Sequence, residues 1–401
     1  MSALFANHSQ IPVTLLTGFL GAGKTTILNH LVRDPALAKT LVIINEFGAV
    51  GIDHDLMSVS QEDVVVEMSS GCLCCTIRGD LVRTLRDAPW RFARGGVCWF
   101  DRVVIETTGL ADPAPILHTL MTDERLVTLY RIDGVVTAVD AVNGMATLDT
   151  QEESRKQAAV ADRLLLTKTD LASAEEIAAI EARLHALNPG APIIPTLGGV
   201  VDPAQLLDVG LWNPETKSYD LQRWLNAEAY AQGHDHHDHH DHHDHHDHHD
   251  HHDHHDHGHH HDINRHDDRI HAMCLTFDEP LDAEAFDFWL HTLMMLKGPD
   301  VLRIKGIVNI ADLDKPMVLH GVQQIFHPPV MLDAWPSEDR RTRMVFITRG
   351  VDEAMLRDTL AMMTQSVKDY RLLGPKGAMP RSETSLLLPG DPGFDLAAQF
   401  L

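Results

Sequence analysis

Three of the five cysteines fall inside Gly71-Cys72-Leu73-Cys74-Cys75-Thr76. Thiolates are soft ligands for zinc and its neighbours in the first transition row, so residue type and crowding both point to metal chemistry. A structural zinc site normally closes with four protein ligands, and here three sulfurs lie together with no local fourth. Cys98 and Cys274 stand alone and far off, as buried structural thiols usually do. Cys72, Cys74 and Cys75 therefore read as an incomplete shell that a metal can leave. An odd count of cysteines, two of them adjacent, is no disulfide framework and suits a reducing compartment.

Upstream, Gly18-Phe19-Leu20-Gly21-Ala22-Gly23-Lys24-Thr25-Thr26 follows an apolar run, Ile11 to Thr17, and precedes a helical stretch, Ile27 to Arg33. That is the strand, glycine-rich loop and helix of a phosphate-binding loop. Gly18, Gly21, Ala22 and Gly23 let backbone N–H groups converge on phosphate oxygens where the helix dipole favours negative charge. Lys24 would reach the β- and γ-phosphates, and the Thr25 hydroxyl, with Thr26 beside it, would ligate Mg²⁺. A later strand ends in Glu106-Thr107-Thr108-Gly109, placing a carboxylate and a glycine where such proteins hold Mg²⁺ and sense the γ-phosphate.

Arg163 to Leu166 runs into Thr167-Lys168-Thr169-Asp170. A Lys-x-Asp after a late strand suits guanine: the Asp170 carboxylate accepts from the base N1–H and amine while the Lys168 stem packs on the ring. Adenine offers no such donor pair, which favours GTP.

A second metal-binding candidate is the tract from His234 to Asp262, where Asp-His-His repeats seven times and 19 of the 29 histidines lie. It holds no apolar residue, cannot bury a core and is expected to be a disordered linker. Its imidazoles, beginning with His236, His237, His239 and His240, suit zinc, nickel, cobalt and copper.

The elements that must position these groups alternate. Thr40 to Asn45, Asp63 to Met68, Arg102 to Glu106, Val135 to Asp140, Arg163 to Leu166 and Pro192 to Pro195 read as strands. Leu81 to Phe92, Gln151 to Ala161 and Ala174 to Leu187 read as helices. The expectation is an α/β domain with a mostly parallel sheet flanked by helices. After the tract, strands at Ile270 to Phe277, Val301 to Ile310, Met317 to Phe326 and Met344 to Thr348 group around helices Ala283 to Met295 and Glu353 to Met363, a small α+β domain. The boundaries expected are 1–225, the linker 226–268, the second domain 269–365 and an irregular, proline-bearing tail 366–401.

A hydrophobic content of 44% is that of an ordinary globular protein, and no apolar run approaches the roughly 18 residues that cross a bilayer. With no signal peptide at Met1 to His8, cytoplasmic residence is expected. The formal charge of −25 argues against nucleic acid as a partner.

Together these motifs resemble the CobW-like family of P-loop GTPases of the SIMIBI class. The likeness is carried by the loop from Gly18 to Thr26, Asn45-Glu46-Phe47-Gly48, the cysteine cluster, Glu106-Thr107-Thr108-Gly109-Leu110-Ala111-Asp112-Pro113 and Thr167-Lys168-Thr169-Asp170. Leu302-Arg303-Ile304-Lys305-Gly306 and His320-Gly321-Val322-Gln323 resemble that family's C-terminal domain. The resemblance implies slow GTP hydrolysis coupled to delivery of a transition metal, most often zinc, to a client metalloprotein; an oligomer is compatible with it. On this reading Glu46, or Asp53 in the same loop, senses Mg²⁺ and the γ-phosphate, and Lys24 and Glu106 serve hydrolysis. Two positions depart from the pattern. Many members carry an acidic residue where this chain has Ala49, and the guanine motif opens on Thr167 rather than asparagine.

Zn²⁺ is the expected cargo, with Co²⁺ and Ni²⁺ as alternatives that ligand type does not separate. Cobalt handling for cobalamin synthesis, or maturation of one metalloenzyme, is the alternative within the same class. A metal store with a regulatory nucleotide site is the alternative outside it.

Overall fold

The computed structural model describes residues 10–46, 64–69, 75–207, 270–323, 325–326 and 329–373. The first domain contains β1 (Ile11–Gly18), α1 (Lys24–Leu31), β2 (Thr40–Glu46), β3 (Val64–Ser69) and α2 (Cys75–Arg91). A ribbon of β4 (Ala93–Arg94) and β5 (Val97–Cys98) follows, then β6 (Arg102–Glu106), α3 (Ala114–Thr122), α4 (Leu126–Leu129) and β7 (Tyr130–Asp140). The chain continues through α5 (Gly144–Thr150), α6 (Glu152–Ala159), β8 (Arg163–Thr167), α7 (Ala174–Leu187) and β9 (Ile193–Pro195).

Seven strands form one sheet in the order β3-β2-β6-β1-β7-β8-β9, with every pairing parallel. Leu15, Ile43 and Ile105 face one apolar cluster while Leu16, Val42 and Val104 face another. This two-sided burial is why the strands read as unbroken apolar runs rather than alternating ones. Because all seven run the same way, their C-terminal ends, and the loops that could hold a ligand, share one edge.

Several elements differ from the sequence reading for identifiable reasons. β7 begins at Tyr130, well before Val135, because Asp133 does not break it. The register to β1 shifts between Val13 and Thr14, leaving Asp133 as the extra residue of a bulge. Its carboxylate is fully buried there, taking Arg102 at 2.6 Å and the Thr14 hydroxyl at 3.0 Å. The helix expected over Gln151 to Ala161 is α6, Glu152–Ala159, and an unexpected helix, α5, precedes it, separated from it by extended backbone at Gln151. α2 starts at Cys75, inside the cysteine cluster, not at Leu81. α7 matches its expected bounds, since Ser173 and Glu176 form a reciprocal capping box at its start.

The second domain contains β10 (Ile270–Phe277), α8 (Ala283–Lys297), β11 (Val301–Val308), β12 (Met317–Val322), β13 (Ile325–Phe326), β14 (Val330–Met331), β15 (Thr342–Arg349) and α9 (Glu353–Leu373). Its antiparallel sheet runs β10-β15-β11-β12-β13, with β14 also on β12. The strand expected from Met317 to Phe326 is a hairpin, turned at Gln323 with φ +53°. α9 continues to Leu373, past the expected end of the domain at 365.

One face of this sheet packs Ile304, Met344 and Phe346 against Phe286, Trp289 and Leu356 of α8 and α9. The other face places Leu302, Ile307, Val318 and Val345 in the same core cluster as Leu85, Leu117 and Leu126 of the first domain. β11 is therefore buried along its whole length. Its two charged residues, Arg303 and Lys305, meet Asp162 of the first domain inside this junction.

Candidate functional site

At the shared edge of the parallel sheet, β1 turns sharply into α1. Gly18, Gly21 and Gly23 take φ of +140°, +74° and +87°, conformations costly to a side chain, and Gly23 caps α1. A Cβ on Gly18 would lie 2.4 Å from the Ala138 carbonyl oxygen of β7. The Lys24 ammonium, 8% exposed as a residue, donates to the carbonyls of Gly18 at 2.8 Å and Phe19 at 3.1 Å. Those carbonyls hold the loop open around its cation. The lining of a cavity of about 350 Å³ includes Gly21, Gly23, Lys24, Thr25, Thr26, Glu106, Gly109 and Lys168. Gly18 and Ala22 shape the loop beside it.

β6 neighbours β1, with Leu16 opposite Glu106. The Thr25 hydroxyl donates to Glu106 Oε1 at 2.9 Å, so loop and strand end meet in a pair of hard oxygen donors, the kind Mg²⁺ takes. Thr107 donates its hydroxyl to that of Thr17 at 2.8 Å. The Thr108 hydroxyl, buried in the cavity wall, has no hydrogen-bond partner among the described residues. Gly109 lies against the loop so closely that a Cβ there would stand 2.5 Å from the Leu20 backbone nitrogen. A cavity lined by a buried lysine, the start of a helix and an unsatisfied hydroxyl fits a polyphosphate.

On the other side of β1, Thr167 stands at the head of the Lys-x-Asp segment, at the end of β8. Its hydroxyl donates to the Ala22 carbonyl at 2.9 Å, with the Val139 carbonyl 3.2 Å away, tying β8 to the phosphate loop. Lys168 follows at φ +57° and pairs with Asp140 at 2.6 Å. Burial alone would raise the Asp140 carboxyl; hydrogen bonds from Asn143, Lys168 and Val142 outweigh it and hold the group below the usual range. Asp170 is exposed, two residues beyond Lys168, which lines the cavity.

Two contributors escaped the sequence reading. Asp140 was legible only as a strand end, though a carboxylate at that edge is itself a signal. The loop after β9 also enters the site: Gly199, at φ +82°, sits where a Cβ would be 2.9 Å from Thr26 Cγ2. Beside it Leu197 is 62% exposed, near the Lys168 to Asp170 loop because β8 pairs with β9.

The remaining expected residues are only partly placed. Glu46 closes β2 and Cys75 opens α2. Asp53, Cys72, Cys74, His236, His237, His239 and His240 lie outside the described residues. The topology still bounds the cysteine segment, because β3 ends at Ser69 on the shared edge, opposite Glu46. With strands about 4.8 Å apart, β3 lies roughly 14 Å from β1 across the sheet.

Among the described residues no helix is long and apolar enough to cross a membrane. The chain is 30% identical over 353 residues to the zinc chaperone YjiA of Escherichia coli (strain K12), covering 88% of this chain and 98% of that one. It is 27% identical over 401 residues to the zinc chaperone CobW of Sinorhizobium sp, covering 90% and 100%. The crystal structure of Zn(II)-bound YjiA GTPase from E. coli aligns with a TM-score of 0.62 at 26% identity, covering 89% of this chain and 99% of that one. The nucleotide-binding domain of CobW/HypB/UreG matches residues 12–195, and the C-terminal domain of the cobalamin synthesis protein cobW matches 270–364. Both domains matched in order, with a relative aligned over nearly its whole length, place this GTPase in the CobW family.

Proposed function

We propose that this GTPase is a metallochaperone that binds zinc through Cys72, Cys74 and Cys75 and releases it to a client metalloprotein as GTP is hydrolysed to GDP and phosphate. The observation that carries this reading is the common edge of the parallel sheet. The Thr25–Glu106 pair, the end of β2 at Glu46 and the start of the cysteine segment after β3 all leave the sheet on one side. A shift in the β2 loop on loss of the γ-phosphate would reach the thiolates through a single strand spacing.

In the same reading Lys24 neutralises charge on the β- and γ-phosphates, and Thr25 and Glu106 hold Mg²⁺, which supplies electrostatic stabilisation of the transferring phosphoryl group. Asp170 and the Lys168 stem select guanine. Glu46 or Asp53 couples the nucleotide to the cysteines. Cys75 opens α2, and a helix N-terminus favours the thiolate that zinc requires. The His-rich tract, including His236, His237, His239 and His240, holds zinc in reserve. The zinc chaperones YjiA and CobW support zinc over cobalt or nickel as cargo.

Competitive zinc titration in GTP and in GDP tests the proposal, run on the full chain and on one lacking residues 234–262. The expected result is a nucleotide-dependent zinc affinity in both, abolished by Cys74→Ala with GTP binding intact. Equal zinc affinity in the two nucleotide states would reject the coupling. A deletion that removes all zinc binding would leave a histidine store instead.

A further inference from the structure

The loop from Gly109 to Asp112 joins the β6 carboxylate to α3 and touches the phosphate loop at Leu20. It is gripped from two directions by groups that the nucleotide chemistry does not otherwise use. From beneath, Gln157 of α6 donates its side-chain amide to the carbonyls of Ala111 at 2.9 Å and Gly109 at 3.2 Å. Gln157 is 0% exposed, so those two bonds are what compensates its buried N–H groups. From above, Gln323 at the tip of the β12–β13 hairpin donates to Asp112 Oδ2 at 3.1 Å. The other oxygen of that carboxylate accepts from the N–H of Ala114, the first residue of α3, at 2.9 Å.

Neither grip is free to drift. The Gln323 N–H is tied to the Leu302 carbonyl at 3.3 Å, and Leu302 and Val322 belong to the core shared between the domains. α6 is held near both ends by the C-terminal sheet: Arg349 pairs with Glu152 at its first residue, and Arg303 donates to the Val160 carbonyl just past its last. The C-terminal domain therefore holds the Gly109–Asp112 loop twice, directly through Gln323 and indirectly through α6 and Gln157.

We propose that Gln323 and Gln157 are positioning residues for GTP hydrolysis, setting the Gly109–Asp112 loop against the phosphate loop so that the C-terminal domain takes part in the reaction. The proposal rests on reading Gly109 as the glycine that faces the transferred phosphate. It gives a role to the His320-Gly321-Val322-Gln323 segment, which carries no catalytic group. It also gives the C-terminal sheet a way to register the nucleotide, since a loop pulled toward the γ-phosphate must carry Asp112 with it.

The test is steady-state GTP hydrolysis by the full chain, without added zinc. Gln323→Glu sets a second carboxylate against Asp112. It is expected to lower kcat about tenfold while KM for GTP changes less than about twofold. Adding Asp112→Asn to that variant keeps the acceptor for the Ala114 N–H on Oδ1 and replaces Oδ2 by an amide donor toward the new carboxylate. The pair is expected to recover kcat to within about threefold of the unmodified chain, with hydrogen exchange at 317–323 again differing between GDP and a non-hydrolysable GTP analogue. A wild-type kcat in Gln323→Glu, or a loss that the second substitution fails to recover, overturns the proposal. Glu106→Gln serves as control: if it too hydrolyses GTP at the full rate, the reading of the nucleotide site fails as well. A dead Glu106→Gln beside a fully active Gln323→Glu removes only the positioning role.

Discussion

Lys305 Nζ lies 2.9 Å from Asp162 Oδ1 in the junction between the two domains, and Arg303 donates to the same oxygen. One carboxylate thus serves two cations, and the three groups are not equivalent. Burial alone would push the Asp162 carboxyl up, but Arg303, Lys305 and His320 outweigh it and hold it well below the usual range. For Lys305, burial and the neighbouring Arg303 both disfavour the ammonium; Asp162 only partly compensates, and the amine is pulled down to about 8. Asp162 also accepts from the Val135 N–H at 3.0 Å, which pins the start of β8 to β7. Removing Asp162 would strand two buried cations, whereas removing Lys305 relieves one.

Asp162→Ala is therefore expected to destabilise the chain by about 3–5 kcal/mol, and Lys305→Met to be neutral or stabilising. Denaturant unfolding of the two variants beside the unmodified chain gives the comparison. A Lys305→Met chain as unstable as Asp162→Ala would mean that the lysine is needed to balance the carboxylate.

The same lysine predicts a pH signature. Between about pH 8 and the usual lysine range the unfolded chain keeps a proton that the folded chain has lost, so the unfolded state binds more protons and stability rises with pH. Below about pH 8 both states are protonated and the folded state carries the full penalty. Asp162 adds its effect only in acid: its stabilisation is present above the unfolded carboxylate range and fades as pH falls below it. The difference in unfolding free energy between Lys305→Met and the unmodified chain should accordingly favour the variant at pH 7 and shrink toward pH 10. A difference independent of pH across that interval would place the ammonium's burden elsewhere.

A third prediction concerns the Thr25 hydroxyl, 2.9 Å from Glu106 Oε1. On the proposed reading Thr25→Ala removes an oxygen that would hold Mg²⁺, while Thr25→Ser keeps it. Hydrolysis should fall on the order of 10²-fold in the alanine variant and stay within a few-fold in the serine variant. Fluorescent GDP, which depends less on the metal, should bind both. Equal rates in the two variants would show that the hydroxyl has no part in the reaction.

What could be read from the chain before its fold was known divides along physical lines. The parallel strands and the phosphate loop were legible because two-sided burial leaves apolar runs and because a lysine after such a glycine pattern has few other uses. α7 was legible to the residue because Ser173 and Glu176 mark its start. β7 begins five residues before the expected Val135, and the buried Asp133 within it is held by Arg102 and Thr14, both remote in sequence. Arg303 and Lys305 could be recognised as a motif, but nothing local says that their strand is covered on both faces or that their counter-ion is Asp162. The Gln157 and Gln323 contacts were invisible for the same reason. Each joins segments remote in sequence: Gln157 meets Gly109 and Ala111 within the first domain, and Gln323 meets Asp112 across the domain junction.

Base selection offers a test of the Lys168–Asp170 loop that does not depend on zinc. A carboxylate at Asp170 can accept from both the N1–H and the 2-amino group of guanine; an amide there keeps one acceptor and presents one donor. Xanthine carries a carbonyl where guanine carries the amine, so Asp170→Asn should exchange a lost hydrogen bond to GTP for a gained one to the xanthine nucleotide. Hydrogen bonds involving a charged group contribute about 1.5–3 kcal/mol, so GTP affinity should fall on the order of 10–10²-fold while the xanthine nucleotide gains. ATP should remain poor in both forms, having no N1–H to give. The exposed position of Asp170 sets the expectation at the lower end, because water competes for the same carboxylate. Thr167→Val makes a useful companion: it removes the hydroxyl that holds β8 to the Ala22 carbonyl, 2.9 Å away, without touching the base. That variant should weaken GTP and xanthine nucleotide alike, by about tenfold, because it loosens the phosphate loop instead of changing the base contact. A selective loss in Thr167→Val, or an unselective one in Asp170→Asn, would reverse the assignment of the two residues.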